Sequence, residues 1–316
     1  MNMKKLIITS ITTTMIMLFM LGNVQAQKKM VRNAESWAEE GVKLDEALEA
    51  IKSAEGDEKT KDWYKTYYVK GLVYQAIDKS ENAEFKKLSE YPLVDAYEKF
   101  QKAYNMDKSN PIHTTIDMIF INLANDLINK AVEAYQNENF ENALKYFEKS
   151  LEVKKNEVFA NEIDTAVIFN AAITAQRIKE YDKAINYYQQ SIEYGYGGGD
   201  TYALLAESYK QNGQKDEYVQ TLKNGFEKYP ESQGLLGSII NYYLLEAENA
   251  EEAFKYLALA REGNPDNPQF YSAEGHLYDK MGDKEKAKEK YKEAIDVDPN
   301  FFEAYYNLGV LYFNEL

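Results

Sequence analysis

The sequence predicts an all-α solenoid of antiparallel helix pairs, and three observations carry that prediction. Apolar residues recur at helical spacings, while runs with the strand period of two are scarce. Six Pro and 16 Gly are too few turn residues for an all-β chain of 316 residues. Similar residues also return after 34 positions: Gly275 and Gly309, Tyr278 and Tyr312, Ala253 and Ala287, Pro265 and Pro299. A unit of that length holds two amphipathic helices that cannot bury their apolar faces alone, so neighbouring units stack.

The first segment reads as a leader. MNMKK is a short positive region, and Leu6 to Leu21 (LIITSITTTMIMLFML) is an apolar core. GNVQA then places Val24 and Ala26 before a cut between Ala26 and Gln27. Residues 1–26 are thus expected to be a signal peptide, and the mature chain to be exported to the periplasm or beyond the cell. The rival is an uncleaved anchor, for which this apolar core is short against the roughly 20 residues a span needs.

Charge and cysteine content exclude several function classes. The 52 acidic against 37 basic residues give a formal charge of -15, and loss of Lys4 and Lys5 with the leader makes it -17. Nucleic acid would be repelled, as would an anionic lipid surface. With zero Cys there is no disulfide framework, thiolate nucleophile or zinc-thiolate site. No cofactor, no metal and no membrane insertion of the mature chain are expected.

Taken in order, Arg32 to Ala54 reads as one capping helix with Trp37, Leu44, Leu48 and Ile51 on one face. EGDEKTKD comes next as a polar connection, so residues 27–62 form a cap and residues 63–316 an array of about six copies. Tyr67, Gly71 and Tyr74 begin the first copy. Its second helix comes late, at Ala96, Phe100 and Ala103, which makes roughly Asp78 to Leu93 an insertion. Ala131, Ala134, Phe140, Ala143 and Phe147 form the next copy, followed by Ala171, Ala172, Ala175, Tyr181, Ala184 and Tyr188. Tyr202, Leu205, Ala206, Tyr209, Leu222 and Gly225 form another, in which Tyr218 replaces a small residue. A degenerate copy holds Tyr242, Tyr243, Ala253, Leu257 and Ala260.

The clearest copy runs from Pro268 to Asn300. Tyr271, Gly275 and Tyr278 share one face of a first helix, and Gly275 lets a second helix approach closely. Met281-Gly282-Asp283 turns the chain, with Asp283 as N-cap. Ala287, Tyr291, Ala294 and Ile295 line the second helix, and Pro299 stops it. The pattern of aromatic, small residue, Tyr, Ala-x3-aromatic and Pro resembles the tetratricopeptide repeat (TPR) family. The resemblance covers about Tyr64 to the end and implies a right-handed solenoid.

Residues suited to chemistry do not assemble in the sequence. His113, after Asn110-Pro111, suits a helix start, and His276 falls where the TPR resemblance places a groove residue. Neither lies in a nucleophile or HExxH pattern. Tyr194 to Asp200 (YGYGGGD) misses the last Gly of GxGxxG and follows no strand. It is expected to be a flexible loop in which Asp200 caps the next helix.

The resemblance implies a concave surface lined by first helices. The Lys, Asn and Arg with which some TPR domains grip a carboxylate are absent: the matching positions are Ile128, Val132, Phe169, Ile173, Ala203 and Glu207, and only Asn170 agrees. Tyr68, Leu72, Ile128, Val132, Tyr135, Phe169 and Ile173 would instead give an apolar stripe for a helix or extended segment of a partner. The chain's own insertions could equally cover that stripe. The expected function is therefore an exported, non-enzymatic scaffold for a protein or peptide, with cell-wall or carbohydrate binding through the 27 Tyr as the alternative. The final YYNLGVLYFNEL, residues 305–316, reads as a lone first helix. Its apolar sides are expected to meet either a further helix of a longer chain or another protein.

Overall fold

A computed structural model describes residues 27–106 and 112–314, and among these residues every regular element is helical. The expected leader, with its cut after Ala26, and Asn110-Pro111 lie outside the described residues. Two compact units divide the chain, the first ending at Asp164 and the second beginning at Thr165.

In the first unit, α1 covers 27–40 and α2 spans Leu44–Gly56. The single capping helix expected over Arg32 to Ala54 is therefore two helices. Gly41 (φ 70°) and Lys43 (φ 50°) both take left-handed backbone and reverse the chain within three residues. Val31, Ala34 and Ala38 of α1 and Leu44, Ala47, Leu48, Ile51 and Ala54 of α2 are buried. The exposed side of α1 carries Arg32, Asn33, Ser36, Glu39 and Glu40, which suits a terminal cap.

Next, α3 (Tyr64–Lys79) pairs with α5 (Pro92–Met106), and α6 (Ile112–Gln136) with α7 (Phe140–Val153). Gly71 matters here because a Cβ on it would lie 2.6 Å from the Phe100 ring. The insertion is present between α3 and α5 as a short helix, α4 (Ala83–Lys86), followed by a turn. Its Phe85, Leu88 and Tyr91 pack on the core, and Tyr91 Oη donates to Asn142 Oδ1 of α7 at 2.9 Å. Ser150 Oγ of α7 donates to Ala124 O of α6 at 3.1 Å, satisfying a buried hydroxyl between the two helices.

The second unit stacks α8 (Thr165–Arg177) on α9 (Tyr181–Glu193), and α10 (Gly198–Gln211) on α11 (Lys215–Lys228). The degenerate copy is α12 (Gln233–Asn241), a π-helical turn (Tyr242–Glu246) and α13 (Ala250–Gly263). Then come α14 (Pro268–Lys280), α15 (Lys284–Val297) and the lone α16 (Phe302–Phe313). Within the α8–α9 pair Tyr188 Oη donates to Gln176 Oε1 at 2.9 Å, and between copies Gln189 Nε2 donates to Tyr209 Oη at 2.7 Å.

The expected cap at Asp283 is there: its carboxylate accepts from Lys286 N at 3.2 Å. The expected cap at Asp200 is not. Helix α10 begins two residues earlier, with Gly197 (φ 79°) as its N-cap, and Asp200 lies inside the first turn. The glycines serve packing there. A Cβ on Gly199 would sit 2.5 Å from Ser232 Cβ, and one on Gly197 would sit 2.1 Å from Thr201 Oγ1. What reads as a loop is the tight entry of a helix.

Candidate groove on the first helices

The first helix of each copy buries one stripe against its neighbours and leaves the opposite side free. In the second unit that free side is marked by Ile173 on α8, Glu207 on α10, Asn241 on α12 and His276 on α14. Each lies 34 or 35 residues after the one before, so the repeat itself aligns them. Ile173 is half-buried, and Glu207, Asn241 and His276 are exposed. Glu207 is legible in the sequence as a groove position, and adding one period to it finds Asn241.

The sequence-derived apolar positions fall into two groups, one in each unit. In the first unit, Tyr68 and Leu72 share the outer side of α3, where both are half-buried. Tyr68 rests on Phe100, with ring centroids 5.8 Å apart. Desolvation, followed by the nearby carboxylates Glu35 and Glu39, pushes its hydroxyl above the ordinary tyrosine value. Ile128, Val132 and Tyr135 lie on α6: Val132 is 39% exposed, and Tyr135 turns edge-on to Phe140 at 5.1 Å. Met118, 57% exposed on the same long helix, is not among the sequence-derived positions, although its spacing of 14 residues from Val132 is four helical turns.

Ion pairs tie these first helices side by side. Lys65 of α3 meets Glu35 of α1 at 2.7 Å, and Lys130 of α6 meets Asp78 of α3 at 3.3 Å. The insertion is directed elsewhere: Tyr91 stands edge-on to Tyr146 of α7 at 6.1 Å, under the Lys145 ammonium at 3.1 Å.

In the second unit, Phe169 of α8 is half-buried between Tyr188 at 5.9 Å and Tyr196 at 5.3 Å. It therefore supports its own repeat. Ile173, one turn on, carries no such ring contact.

The two histidines have different settings. His113 stacks on Tyr104 at 4.0 Å and places Nε2 2.9 Å from Tyr104 O, which ties the start of α6 to the end of α5. His276 is exposed. Among the described residues, no three His, Cys, Asp or Glu side chains come together as a metal site, and no helix is long and apolar enough to cross a membrane.

At the end of the array, α16 presents Phe302 (80% exposed), Tyr306 (72%), Val310 (40%) and Phe313 (74%). The Tyr291 ring fills the hollow at Gly275, whereas nothing lies within 4 Å of a Cβ built on Gly309.

Antiparallel helix pairs whose residues return after about 34 positions define a helical-repeat scaffold. Residues 124–196 and 202–232 match models described as tetratricopeptide repeat, and residues 275–315 match one described as TPR repeat. Those three stretches of the chain carry tetratricopeptide repeats. Similar solved structures include YrrB, described as a TPR protein with an unusual peptide-binding site. It is 20% identical, with 66% of this chain and 96% of that one covered and a TM-score of 0.38. A thermophilic TPR protein of Thermus thermophilus is 19% identical, with coverages of 60% and 99% and a TM-score of 0.38. The TPR2AB domain of yeast Sti1, in a complex with pHSP90, is 17% identical over 61% and 84%, with a TM-score of 0.32. No curated protein matches the sequence significantly.

Proposed function

We propose that the chain is a non-enzymatic scaffold that binds a protein or peptide segment on the outer sides of its first helices. The observation that carries this reading is the row Ile173, Glu207, Asn241 and His276. Packing consumes the opposite stripe of each of these helices, while this row stays open to a ligand. In the first unit, Tyr68, Leu72 and Val132 offer the apolar counterpart. An extended or helical segment suits such a surface, because shape and many small contacts supply the affinity.

The carbohydrate alternative needs free aromatic faces. Several Tyr rings are occupied instead: Tyr67 by Lys102 at 3.8 Å, Tyr278 by Lys286 at 5.2 Å and Tyr271 by Arg261 at 5.6 Å. The acidic composition and the leader-like first 26 residues support a soluble exported protein, for which a mature N-terminus at Gln27 in fractionated cells is the check.

Crosslinking in the cells of origin followed by mass spectrometry tests the binding function. Specific protein partners should be captured, and Ile173→Asp should reduce their recovery. Phe169→Asp should do the same with some loss of stability, since that ring also packs on Tyr188 and Tyr196. Sugar binding on a glycan array with no protein captured would replace this reading.

A further inference from the structure

Helix α16 carries a seam that the packing of its own chain does not use. Phe302, Tyr306, Gly309 and Phe313 follow one another at intervals of four, three and four residues, the a/d spacing of a coiled coil. All four are exposed. At 100° per residue, Ala304 and Leu311 fall on the opposite side, where both are buried with Ala287, Tyr291 and Ala294 of α15. Glycine at this point of a first helix is a socket for a ring. Phe100 fills the one at Gly71 and Tyr291 the one at Gly275, each from the paired second helix. Gly309 follows Gly275 by 34 residues, yet a Cβ there would meet nothing within 4 Å.

The helix supplies its own complement. Two copies of α16 laid antiparallel about a two-fold axis between Asn307 and Leu308 bring Tyr306 of each copy level with Gly309 of the other. The same register sets Phe302 level with Phe313 at both ends. Such an interface is isologous, so one register seats a ring on both glycines. Charge agrees with it, because Glu303 is the one charged residue in the helix sequence FEAYYNLGVLYF. Antiparallel pairing keeps the two Glu303 positions about 13 Å apart along the axis, beyond the screening length in physiological salt, whereas parallel pairing sets them level. Area agrees as well. Phe302, Tyr306 and Phe313 are 80%, 72% and 74% exposed, and Tyr305, Val310 and Tyr312 beside them are 47%, 40% and 45% exposed. At about 150–250 Å² per aromatic side chain they offer on the order of 500 Å² per copy, so two copies reach roughly the 1,000 Å² at which a specific interface begins.

We propose that the chain forms a two-fold dimer through α16, with the helices antiparallel and Tyr306 of each copy seated on Gly309 of the other. This surface is separate from the groove, and the inference does not depend on what the groove binds.

Sedimentation of residues 27–316 between about 1 and 100 µM reads the equilibrium. A dimer forming in the micromolar range is expected, and added salt should favour it by screening the repulsion between two acidic chains. Tyr306→Glu and Phe313→Glu should each weaken dimerisation by about tenfold or more while leaving the melting temperature of the dilute monomer in place, since both side chains are exposed. Gly309→Ala should raise that melting temperature and still weaken the dimer, because the added methyl takes the place of the incoming ring; a structural role alone moves both the same way. Phe302→Lys should weaken the dimer, and combining it with Phe313→Glu should restore it, because the antiparallel register sets lysine against glutamate at both ends. A monomer throughout the range, a dimer indifferent to Tyr306→Glu, or a double variant no better than its two singles overturns the inference. The groove reading is tested separately by crosslinking and survives each of these outcomes.

Discussion

A methyl group added at Gly275 has no free volume to enter. Its Cβ would lie 2.7 Å from Tyr291 Cε1, 2.8 Å from Cδ1 and 3.1 Å from Cζ, well inside ordinary contact. The ring cannot swing clear, because Tyr291 is 1% exposed and Ala287 and Ala294 of the same helix are also buried. Forcing such an atom into a filled core costs about 1–3 kcal/mol. Exchanging Gly for Ala inside a helix returns roughly 0.5–1 kcal/mol, so Gly275→Ala should be destabilising by about 1 kcal/mol net. Gly237→Ala has the same propensity gain and no clash, and should stabilise by about 0.5–1 kcal/mol. In the difference between the two variants the propensity cancels, leaving the contact with Tyr291 alone. Thermal unfolding followed by circular dichroism resolves this, since 1 kcal/mol moves the midpoint of a 150–250-residue domain by about 2–4 °C. Midpoints that move together, in either direction, would refute the claim that Gly275 exists to admit Tyr291.

Further expectations concern caps, charges and pH. Asp283→Ala removes the acceptor for Lys286 N and should lower the urea midpoint as a lost N-cap does, whereas Asp200→Ala, which is not a cap, should move it clearly less. Glu274 is buried between Arg261 at 2.9 Å and Lys290 at 3.3 Å. Because Arg261 is partly solvated, Glu274→Ala should destabilise by about 1–3 kcal/mol in the same urea assay, rather than by the larger cost of a fully buried pair. Burial, followed by Asp279 and Glu303, pushes the Tyr291 hydroxyl up to about 12 from its usual 10. The folded state holds that proton more tightly, so stability should fall as pH rises from about 10 to about 12, and Tyr291→Phe should blunt the fall in alkaline melts.

The repeat could be read along the chain because it is an interlock of small residues on first helices with large residues on second helices. Gly71 with Phe100 and Gly275 with Tyr291 are such pairs, and each announces a first helix and the second helix packed on it. Helix breaks set by backbone conformation are not readable in the same way. Apolar spacing continues from Trp37 to Ile51 across the turn at Gly41 and Lys43, and a lysine in left-handed backbone leaves no mark in composition. The glycines before Asp200 signal a loop by propensity, yet they open a helix because Ser232 and Tyr229 press against Gly199. The π-helical turn at Tyr242–Glu246 belongs with these, since Tyr218, Tyr243 and Tyr256 form an aromatic contact chain around it that local pattern does not reveal.

The same division holds for the groove. The sequence by itself determined the helical class and the period, because a period of 34 residues repeats every face in register. Which residues remain available was decided only by tertiary structure. Phe169 is shared with Tyr188 and Tyr196, Lys210 is drawn off to Glu246, and Tyr91 of the insertion is bonded to Asn142 of α7. The physical reason is that periodicity is a local property of one helix, whereas exposure and free charge depend on neighbours supplied by distant parts of the chain.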